Sequence, residues 1–336
     1  MTDPTPSRMR TEIAEIPQAA ARLGEPAAQA ALSRCADMLR GTAPRLVVTV
    51  ARGSSDHAAT YLSYCLQIAL GLPVASFGPS VASVYAARLH VPDSVALAIS
   101  QSGSSGDLAK ATEMLAAGGA RPIVLTNTLD SPLAALGRPS LDISAGPERA
   151  IAATKSYVNT ILAGLWLLAH WSKDRALADG LRRMPEAFST SLDAPVEPLI
   201  EGIGAPRDLT VTARGPALGL ANEAALKLQE VLGRHATAYS GAEVMHGPIT
   251  RMGEGYPILA LGHPTDPGVG PALERLRGQG ARVLALADHV PTGPDHPFLA
   301  PLPQIVHLYA ALEALATAEG RDPDAPRFLN KETKTL

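Results

Sequence analysis

Uninterrupted apolar runs alternate along this chain with segments whose apolar residues recur at helical spacing. Runs such as 46–51 and 94–99 are rich in β-branched residues, as strands buried on both faces are. Strands that alternate with helices predict a parallel sheet covered on both faces. The pattern predicts strands at 46–51, 74–77, 94–99, 122–126 and 141–143, and helices at 9–21, 27–39, 57–70, 81–89, 107–117, 132–136 and 154–171.

The second half of the chain repeats this pattern. Residues 209–215 end in Ala-Arg-Gly, as residues 46–53 do, and an apolar helix at 217–232 follows. The likeness indicates a diverged duplication, so we expect an α/β protein with two tandem doubly wound parallel sheets. Further strands are predicted at 257–261 and 282–286, and helices at 271–279 and 304–319. The expected parts are an N-terminal helical segment (1–44), a first domain (45–172), a helical bridge (173–205), a second domain (206–320) and a tail (321–336).

Two predicted strands of the first domain end in serine-rich turns, at 53–55 and 100–105. Each turn opens into a helix, whose first N–H groups and dipole favour an anion. One such turn is ordinary helix capping, but two that meet at the carboxyl edge of one sheet favour a bound phosphate. Neither turn has a nucleotide-binding glycine pattern. The second domain has Pro216, Ala217 and residues 262–265 at the matching places, so the phosphate is expected in the first domain alone.

Composition narrows the class of protein. The chain has 336 residues, 46% of them hydrophobic and 18% charged, which describes a globular protein with a large core. A formal net charge of -3 argues against a nucleic-acid partner. Two cysteines, Cys35 and Cys65, are too few for a disulfide framework and are expected to be small core residues. With no signal peptide or membrane-spanning stretch in the sequence, we expect a cytoplasmic protein without a membrane partner.

Five residues of the second half could carry chemistry. Glu223, Lys227 and Glu230 share one face of a helix, although the same spacing also describes a surface ion-pair stripe. His246 precedes a Gly-Pro pair that would constrain its loop, where a lone histidine is usually just solvated. Lys331 lies in a polar tail that would ordinarily be a frayed end. Each signal alone is unspecific.

Taken together, these segments resemble the double-SIS (sugar isomerase) family over residues 45–336. The family includes the isomerase half of glucosamine-6-phosphate synthases and stand-alone SIS deaminases. The resemblance is carried by the serine turns 53–55 and 100–105, the loop 152–155, the helix segment 223–230, the His-Gly-Pro at 246–248, and the tail segment 324–331.

The resemblance implies a role for each residue. Glu230 would move a proton between C1 and C2 of a sugar phosphate, with electrostatic support from Lys227. His246 would open the sugar ring from across a dimer interface, so the resemblance implies a homodimer. Lys331 would form a Schiff base with the open-chain ketose. Lys155 could contact an anion or lie on the surface. The phosphate is assigned to Ser54, Ser55, Ser100, Gln101, Ser102 and Ser105, and the sugar to Gly53, Ile151, Ala153 and Glu223.

The departures from the synthase favour a deaminase. The sequence begins at residues 1–3 without the N-terminal cysteine of the synthase, so we expect no glutamine-hydrolysing domain. The segments 52–57 and 79–85 resemble the stand-alone deaminases, while the tripeptide 328–330 differs from that of the synthase. The expected reaction converts glucosamine 6-phosphate to fructose 6-phosphate and ammonia.

Three alternatives to the deaminase stay open: a fructosamine-6-phosphate deglycase, a simple aldose–ketose isomerase, and a non-catalytic sugar-phosphate sensor. A sensor would not need Glu230, His246 and Lys331 together, and residues 1–44 are too short for a DNA-binding domain. We expect no cofactor and no metal, because His289 and His296 lack the paired spacing of a zinc site.

Overall fold

A computed structural model describes residues 6–204, 206–262 and 269–331. Residues 1–3, the turn positions 263–265 and the tail residues 332–336, which figure in the sequence argument, lie outside the described residues. The chain forms two compact units, which cross the sequential boundaries expected above. The five-stranded unit comprises residues 18–147 and 156–182, and the four-stranded unit comprises residues 6–17, 148–155, 183–204, 206–262 and 269–331.

Helices and strands alternate as the hydrophobic pattern predicts. The strands are β1 (Leu46–Val50), β2 (Val74–Ser76), β3 (Ser94–Ser100), β4 (Arg121–Thr126), β5 (Ser140–Asp142), β6 (Asp208–Ala213), β7 (His235–Ser240), β8 (Pro257–Ala260) and β9 (Arg282–Ala285). The helices are α1 (Arg8–Ala14), α2 (Ile16–Arg22), α3 (Pro26–Thr42), α4 (Ser54–Leu70), α5 (Ser80–Ser83), α6 (Gly106–Ala117), α7 (Lys155–Ser172), α8 (Arg175–Asp193), α9 (Glu197–Gly204), α10 (Leu218–Leu232), α11 (Gly241–Val244), α12 (Val269–Gly278) and α13 (Leu302–Ala318). Short 3-10 turns lie at Ala134–Leu136, Gly215–Ala217, Pro248–Arg251 and Leu286–Asp288.

The five-stranded sheet is parallel throughout, in the order β2-β1-β3-β4-β5. In this flavodoxin-like order the direction of winding reverses between β1 and β3, and ligands of doubly wound sheets bind at such a switch point. Both serine turns follow these two strands. The topology therefore places both turns at the switch point.

The four-stranded sheet is also parallel, in the order β7-β6-β8-β9. Counted within its own unit this is the order 2-1-3-4, which matches the first four strands of the other sheet. The prediction of two tandem doubly wound sheets is confirmed. Strand β7 was not predicted, because His235–Ser240 mixes polar and apolar residues at a sheet edge and has no continuous apolar run.

Both faces of the five-stranded sheet are covered. One face packs its β1, β3 and β4 side chains against α6, with Leu108, Ala111 and Leu115 in the shared core. Side chains of the other face, including Val95 and Leu97, line an apolar cavity together with residues of α3, α4 and α7. Gly164 of α7 is needed there, because a Cβ on it would lie 2.4 Å from a methyl carbon of Leu62. This double coverage explains why the strands are continuously apolar.

Several helices differ from their predicted extents. The helix predicted at 9–21 is divided at Glu15 into α1 and α2, and the one predicted at 132–136 is the 3-10 turn Ala134–Leu136. Two further differences have a clear structural cause. The helix predicted at 81–89 is the single turn α5, because Ala86 adopts a φ of 46° and Val84 and Tyr85 are 61% and 76% exposed. A segment with its apolar side chains in solvent lacks the packing that stabilises a helix. By contrast, α4 begins at Ser54 and not at 57, so Ser54 and Ser55 belong to its first turn.

Cys35 and Cys65 are buried in α3 and α4, as predicted. Burial raises the pKa of the Cys35 thiol to about 12, so this side chain is an inert core residue. Across residues 6–204, 206–262 and 269–331, no helix combines the length and apolarity needed to cross a bilayer.

Candidate active site

The two serine turns lie at the carboxyl ends of neighbouring strands in the five-stranded unit. Residues of β1 pair with residues of β3, up to Val50 with Ala98. The turns are joined by an ion pair in which Arg52 Nε donates to the buried carboxylate of Asp107 at 2.7 Å. Arg52 precedes the first turn and Asp107 follows the second. The ion pair holds the two helix starts next to each other at the switch point.

Hydrogen bonds within the second turn hold it in shape. Ser100 Oγ accepts from the Gly103 N–H at 3.1 Å, and the hydroxyls of Ser102 and Ser104 lie 2.7 Å apart. Gly103 has a φ of 65°, and a Cβ on it would lie 2.1 Å from Ser131 Oγ. The conformation and the space therefore both require glycine here. Ser105 precedes α6 as its N-cap residue without using its side chain to cap it.

Most of the residues predicted to bind the phosphate lie at the surface of the two serine turns. Ser54, Ser55, Gln101, Ser102 and Ser105 are half-buried, while Ser100 is buried beneath the turn. Gly53 is exposed and has a φ of 54°, which turns the chain from β1 into α4. Helix starts of this kind, with small hydroxyl side chains, can bind a phosphate group through N–H and O–H donors.

In the four-stranded unit, α10 carries three charged residues that form one ion-pair cluster. Lys227 Nζ donates to Glu230 Oε2 at 2.6 Å and lies 3.2 Å from Glu223 Oε1. Tyr309 of α13 donates its hydroxyl to Glu223 Oε1 at 3.2 Å. The side chains of Glu223 and Lys227 are 0% and 1% exposed, whereas that of Glu230 is 19% exposed. The surface-stripe interpretation of this spacing is therefore wrong.

The charges of this cluster are unequal in their access to solvent. Burial disfavours the ammonium form of Lys227, but the carboxylates of Glu223 and Glu230 outweigh that effect and raise its pKa above the ordinary value. Lys227 therefore keeps a positive charge between a carboxylate sealed in the core and a carboxylate that reaches solvent. A carboxylate on a rigid helix, with a fixed cation beside it, is suited to accept and return a proton.

His246 lies on an exposed loop of the same unit. Its N–H donates to the carbonyl of Glu243 in the turn that ends α11, and the 3-10 turn Pro248–Arg251 follows. Gly247 has a φ of 128° between the two turns, so the Gly-Pro pair does constrain the loop. The imidazole is thus presented to solvent from a loop held at both ends.

The segment 148–155, which includes the predicted sugar loop 152–155, is held from within the four-stranded unit. Glu12 of α1 accepts from the N–H groups of Arg149 and Ala150, and the buried carboxylate of Glu148 accepts from the Thr154 N–H at 2.9 Å. Burial raises the pKa of Glu12, with the neighbouring Glu148 charge acting in the same direction. Two carboxylates therefore fix the backbone of this loop, in which Ile151 and Ala153 are half-buried.

Lys331 lies against this loop. Its Nζ donates to the Ala150 carbonyl and lies 3.7 Å from Glu148 Oε2. The tail is also held at the start of α1, because Asp324 accepts from the N–H groups of Arg8 and Met9 at 2.7 and 2.9 Å. The described part of the tail is therefore held by specific contacts.

Lys155, for which a surface position was an open alternative, is buried. Its side chain is 2% exposed and pairs with Glu15, the residue that follows α1. Its position at the start of α7 was predicted, but its ion pair with a residue far away in sequence was not. The surface role is therefore wrong for Lys155.

Sequence reasoning missed Tyr309, Glu12 and Glu148. Tyr309 stands in a strongly apolar helix, where a hydroxyl-bearing side chain signals a buried polar partner. Nothing in the local pattern links Glu12 with Glu148, because 135 intervening residues separate them and neither belongs to a repeating motif. These contacts arise only in the folded chain.

Comparison with known proteins identifies the family to which this chain belongs. Residues 43–170 match the SIS domain model. A structure from Silicibacter pomeroyi, described as a candidate phosphosugar isomerase, is 42% identical, covers 95% of this chain and 100% of its own, and superposes with a TM-score of 0.89. The chain belongs to the SIS family. Its two parallel sheets are the fold expected of tandem SIS domains.

Relatives of this SIS protein include glutamine–fructose-6-phosphate aminotransferases (isomerizing). That of Symbiobacterium thermophilum is 32% identical over 319 residues, which are 85% of this chain and 51% of the relative. The chain thus spans about half the length of such relatives. The C-terminal domain of the Francisella tularensis enzyme shares the fold, with 22% identity over 97% of this chain and 100% of that domain and a TM-score of 0.81.

Proposed function

We propose that this SIS protein converts glucosamine 6-phosphate to fructose 6-phosphate and ammonia. The observation that carries the proposal is the Glu223–Lys227–Glu230 cluster, in which Lys227 pairs with a sealed carboxylate and an accessible one. Moving a carbonyl between adjacent carbons requires a group that removes a proton from one carbon and returns it to the next. Glu230 is that group in the proposal.

The other residues take complementary roles. The serine turns bind the phosphate group, and Gly53, Ile151 and Ala153 border the sugar. Glu223, which the resemblance assigned to the sugar, instead pairs with Lys227 from within the core. Lys331 supplies an amine that can form a Schiff base with the open-chain ketose. After proton transfer between C1 and C2, the amino group at C2 becomes an imine, and its hydrolysis releases ammonia. Relatives named for amination of fructose 6-phosphate support a substrate of this carbon skeleton.

His246 opens the sugar ring in this proposal, and it does so in the partner protomer of a homodimer. Its exposed loop supports that role, because an imidazole presented to solvent is available to a second chain. Histidine is the side chain whose ordinary pKa suits acid and base catalysis near neutral pH.

The location of this protein in the cytoplasm is likewise a prediction.

The deciding measurement is release of ammonia and fructose 6-phosphate from glucosamine 6-phosphate. We expect turnover by the parent chain and a loss of about a thousandfold in Glu230→Gln, which keeps the shape of the side chain but removes its basicity. Glu201→Gln, a matched replacement on the exposed face of α9, should leave the rate unchanged.

Other outcomes point to the alternatives. Absence of turnover with tight sugar-phosphate binding would reject the deaminase, and fructosamine 6-phosphates would then test the deglycase. If the fructosamine 6-phosphates also fail to react, the results favour a non-catalytic sugar-phosphate sensor. Formation of glucosamine 6-phosphate from glutamine and fructose 6-phosphate would show that the chain aminates the sugar instead, and the proposed deaminase function would be wrong.

A further inference from the structure

The buried carboxylate of Glu148 faces the amine of Lys331. Its side chain is 0% exposed, while that of Lys331 is 29% exposed, and the two charged atoms lie 3.7 Å apart. Burying a carboxylate is unfavourable unless a cation or several donors compensate for the lost water. Thr154 supplies one donor through its N–H, and Lys331 supplies the cation.

The surroundings restrict where this pair can lie. Glu12 holds the N–H groups of Arg149 and Ala150, and the carbonyl of the same Ala150 accepts from Lys331. The same helix α1 receives the tail, because Asp324 accepts from its first N–H groups. One short helix therefore holds both the loop that carries Glu148 and the segment that carries Lys331.

A lysine that forms a Schiff base needs a partner that takes its proton. The ammonium form has no lone pair and cannot add to a carbonyl carbon. Transfer of one proton to a carboxylate leaves a neutral amine and a carboxylic acid. The amine then adds to the carbonyl carbon, and the acid returns its proton to the departing hydroxyl. In total, one ammonium group and one carbonyl group give one protonated imine and one water molecule, and the carboxylate is regenerated.

We propose that Glu148 is a positioning residue for Lys331, which holds the amine against the 148–155 loop and exchanges a proton with it. The positioning claim stands on the contacts above, while the proton exchange rests on the proposed Schiff-base function. The two parts are therefore tested separately.

The first test needs no substrate. Lysines are acetylated by a trace of acetic anhydride at about pH 7.5, and the rate at Lys331 is read by mass spectrometry against the exposed Lys110 of α6. We expect Glu148→Gln to raise the Lys331 rate about threefold, because loss of the charge contact releases the amine from the loop and makes it more accessible to the reagent. Glu148→Asp, which keeps the charge, should restore part of the protection. An unchanged Lys331 rate in Glu148→Gln would overturn the positioning claim.

The matched control is Glu12→Gln. It contacts the same loop through the same kind of hydrogen bond but does not contact Lys331, so its Lys331 rate should equal that of the parent. An equal rise in Glu12→Gln would mean that any loosening of the loop exposes Lys331, and the assignment to Glu148 would be wrong. Circular dichroism confirms that each variant is folded, and Glu148→Asp serves if Glu148→Gln is not.

The second test traps the imine with borohydride in the presence of fructose 6-phosphate. We expect an adduct at Lys331 that forms about tenfold more slowly in Glu148→Gln near neutral pH, with the deficit shrinking as the pH is raised. Equal trapping rates at every pH would overturn the proton exchange. If the parent forms no adduct, the Schiff-base function fails, while the acetylation test still decides the positioning.

Discussion

At the scale of single residues, the charge of Lys227 is the feature on which the proposed chemistry depends. A fully buried lysine next to one carboxylate would form a closed neutral pair, with no group left to act on a substrate. The second carboxylate changes this, because Glu230 extends the cluster to the surface. Tyr309 accounts for one further oxygen contact of Glu223 and keeps that carboxylate in the core. The Glu230 carboxylate is thus the one group of the cluster that a substrate can contact.

His307 of α13 makes the four-stranded unit sensitive to acid. The ring is fully buried, its Nδ1 lies 2.9 Å from the Ser191 carbonyl, and burial lowers the pKa of the side chain. An unfolded chain therefore binds a proton near pH 6.5 while the folded chain does not. The free energy of unfolding therefore has its full value above that pH. As the pH falls below it, the free energy of unfolding decreases by about 1.4 kcal/mol per pH unit for one proton.

Replacement of His307 by Asn should remove this dependence. The amide nitrogen of asparagine takes the place of Nδ1 and can still donate to Ser191, but it does not titrate. Denaturant unfolding of the parent and His307→Asn between about pH 5 and 8 measures the difference in slope. His170 in the other unit also has a pKa lowered by burial, so a smaller slope should remain. Identical slopes in the two proteins would contradict this account.

At the scale of elements, the connection from β3 to α6 depends on Gly103. Its carbonyl accepts from the Leu133 N–H, and Ser131, the residue that a Cβ would strike, is itself held by a hydrogen bond to Thr128. Gly103→Ala should therefore distort the serine turn and weaken binding of glucosamine 6-phosphate about tenfold, measured by calorimetry.

Gly106, the first residue of α6, provides the matched control. A Cβ on Gly106 would meet nothing within 4 Å, and its φ is not in the left-handed region. Gly106→Ala should therefore leave binding within about twofold of the parent. If both alanine variants bind as the parent does, the shape of this turn does not determine phosphate binding.

At the scale of the whole molecule, the proposed homodimer can be tested by mixing inactive chains. If His246 serves the partner protomer, a mixed dimer of Glu230→Gln and His246→Asn chains contains one site with both changes and one site with neither. Co-expression of the two chains should therefore restore about a quarter of the parent activity when the chains assort at random.

The control for this experiment is each variant alone, which should be inactive, and light scattering should give the mass of two chains. If the histidine acts within its own chain, every site of a mixed dimer carries one change, and no activity returns. That result would contradict the shared site while leaving the assignment of Glu230 intact.

Much of the fold could be predicted because the strands are buried on both faces. Continuous apolar runs identified β1, β3 and β4, and the Ala-Arg-Gly likeness indicated the second sheet. The prediction failed where local pattern and packing disagree. Strand β7 lies at a sheet edge with mixed polarity, and α5 ends after one turn because the residues beyond it have no core to contact.

The sequence by itself determined most of the elements and the residue types of the site, because period, turn chemistry and helix starts are properties of neighbouring residues. It also kept open whether Glu223, Lys227 and Glu230 form a surface stripe, since spacing on a helix does not tell which face is buried. Tertiary structure decided that question, because Tyr309 and the core surround two of the three. It likewise decided the contacts of Lys331 with Glu148 and of Asp324 with α1, which join segments that no local rule connects.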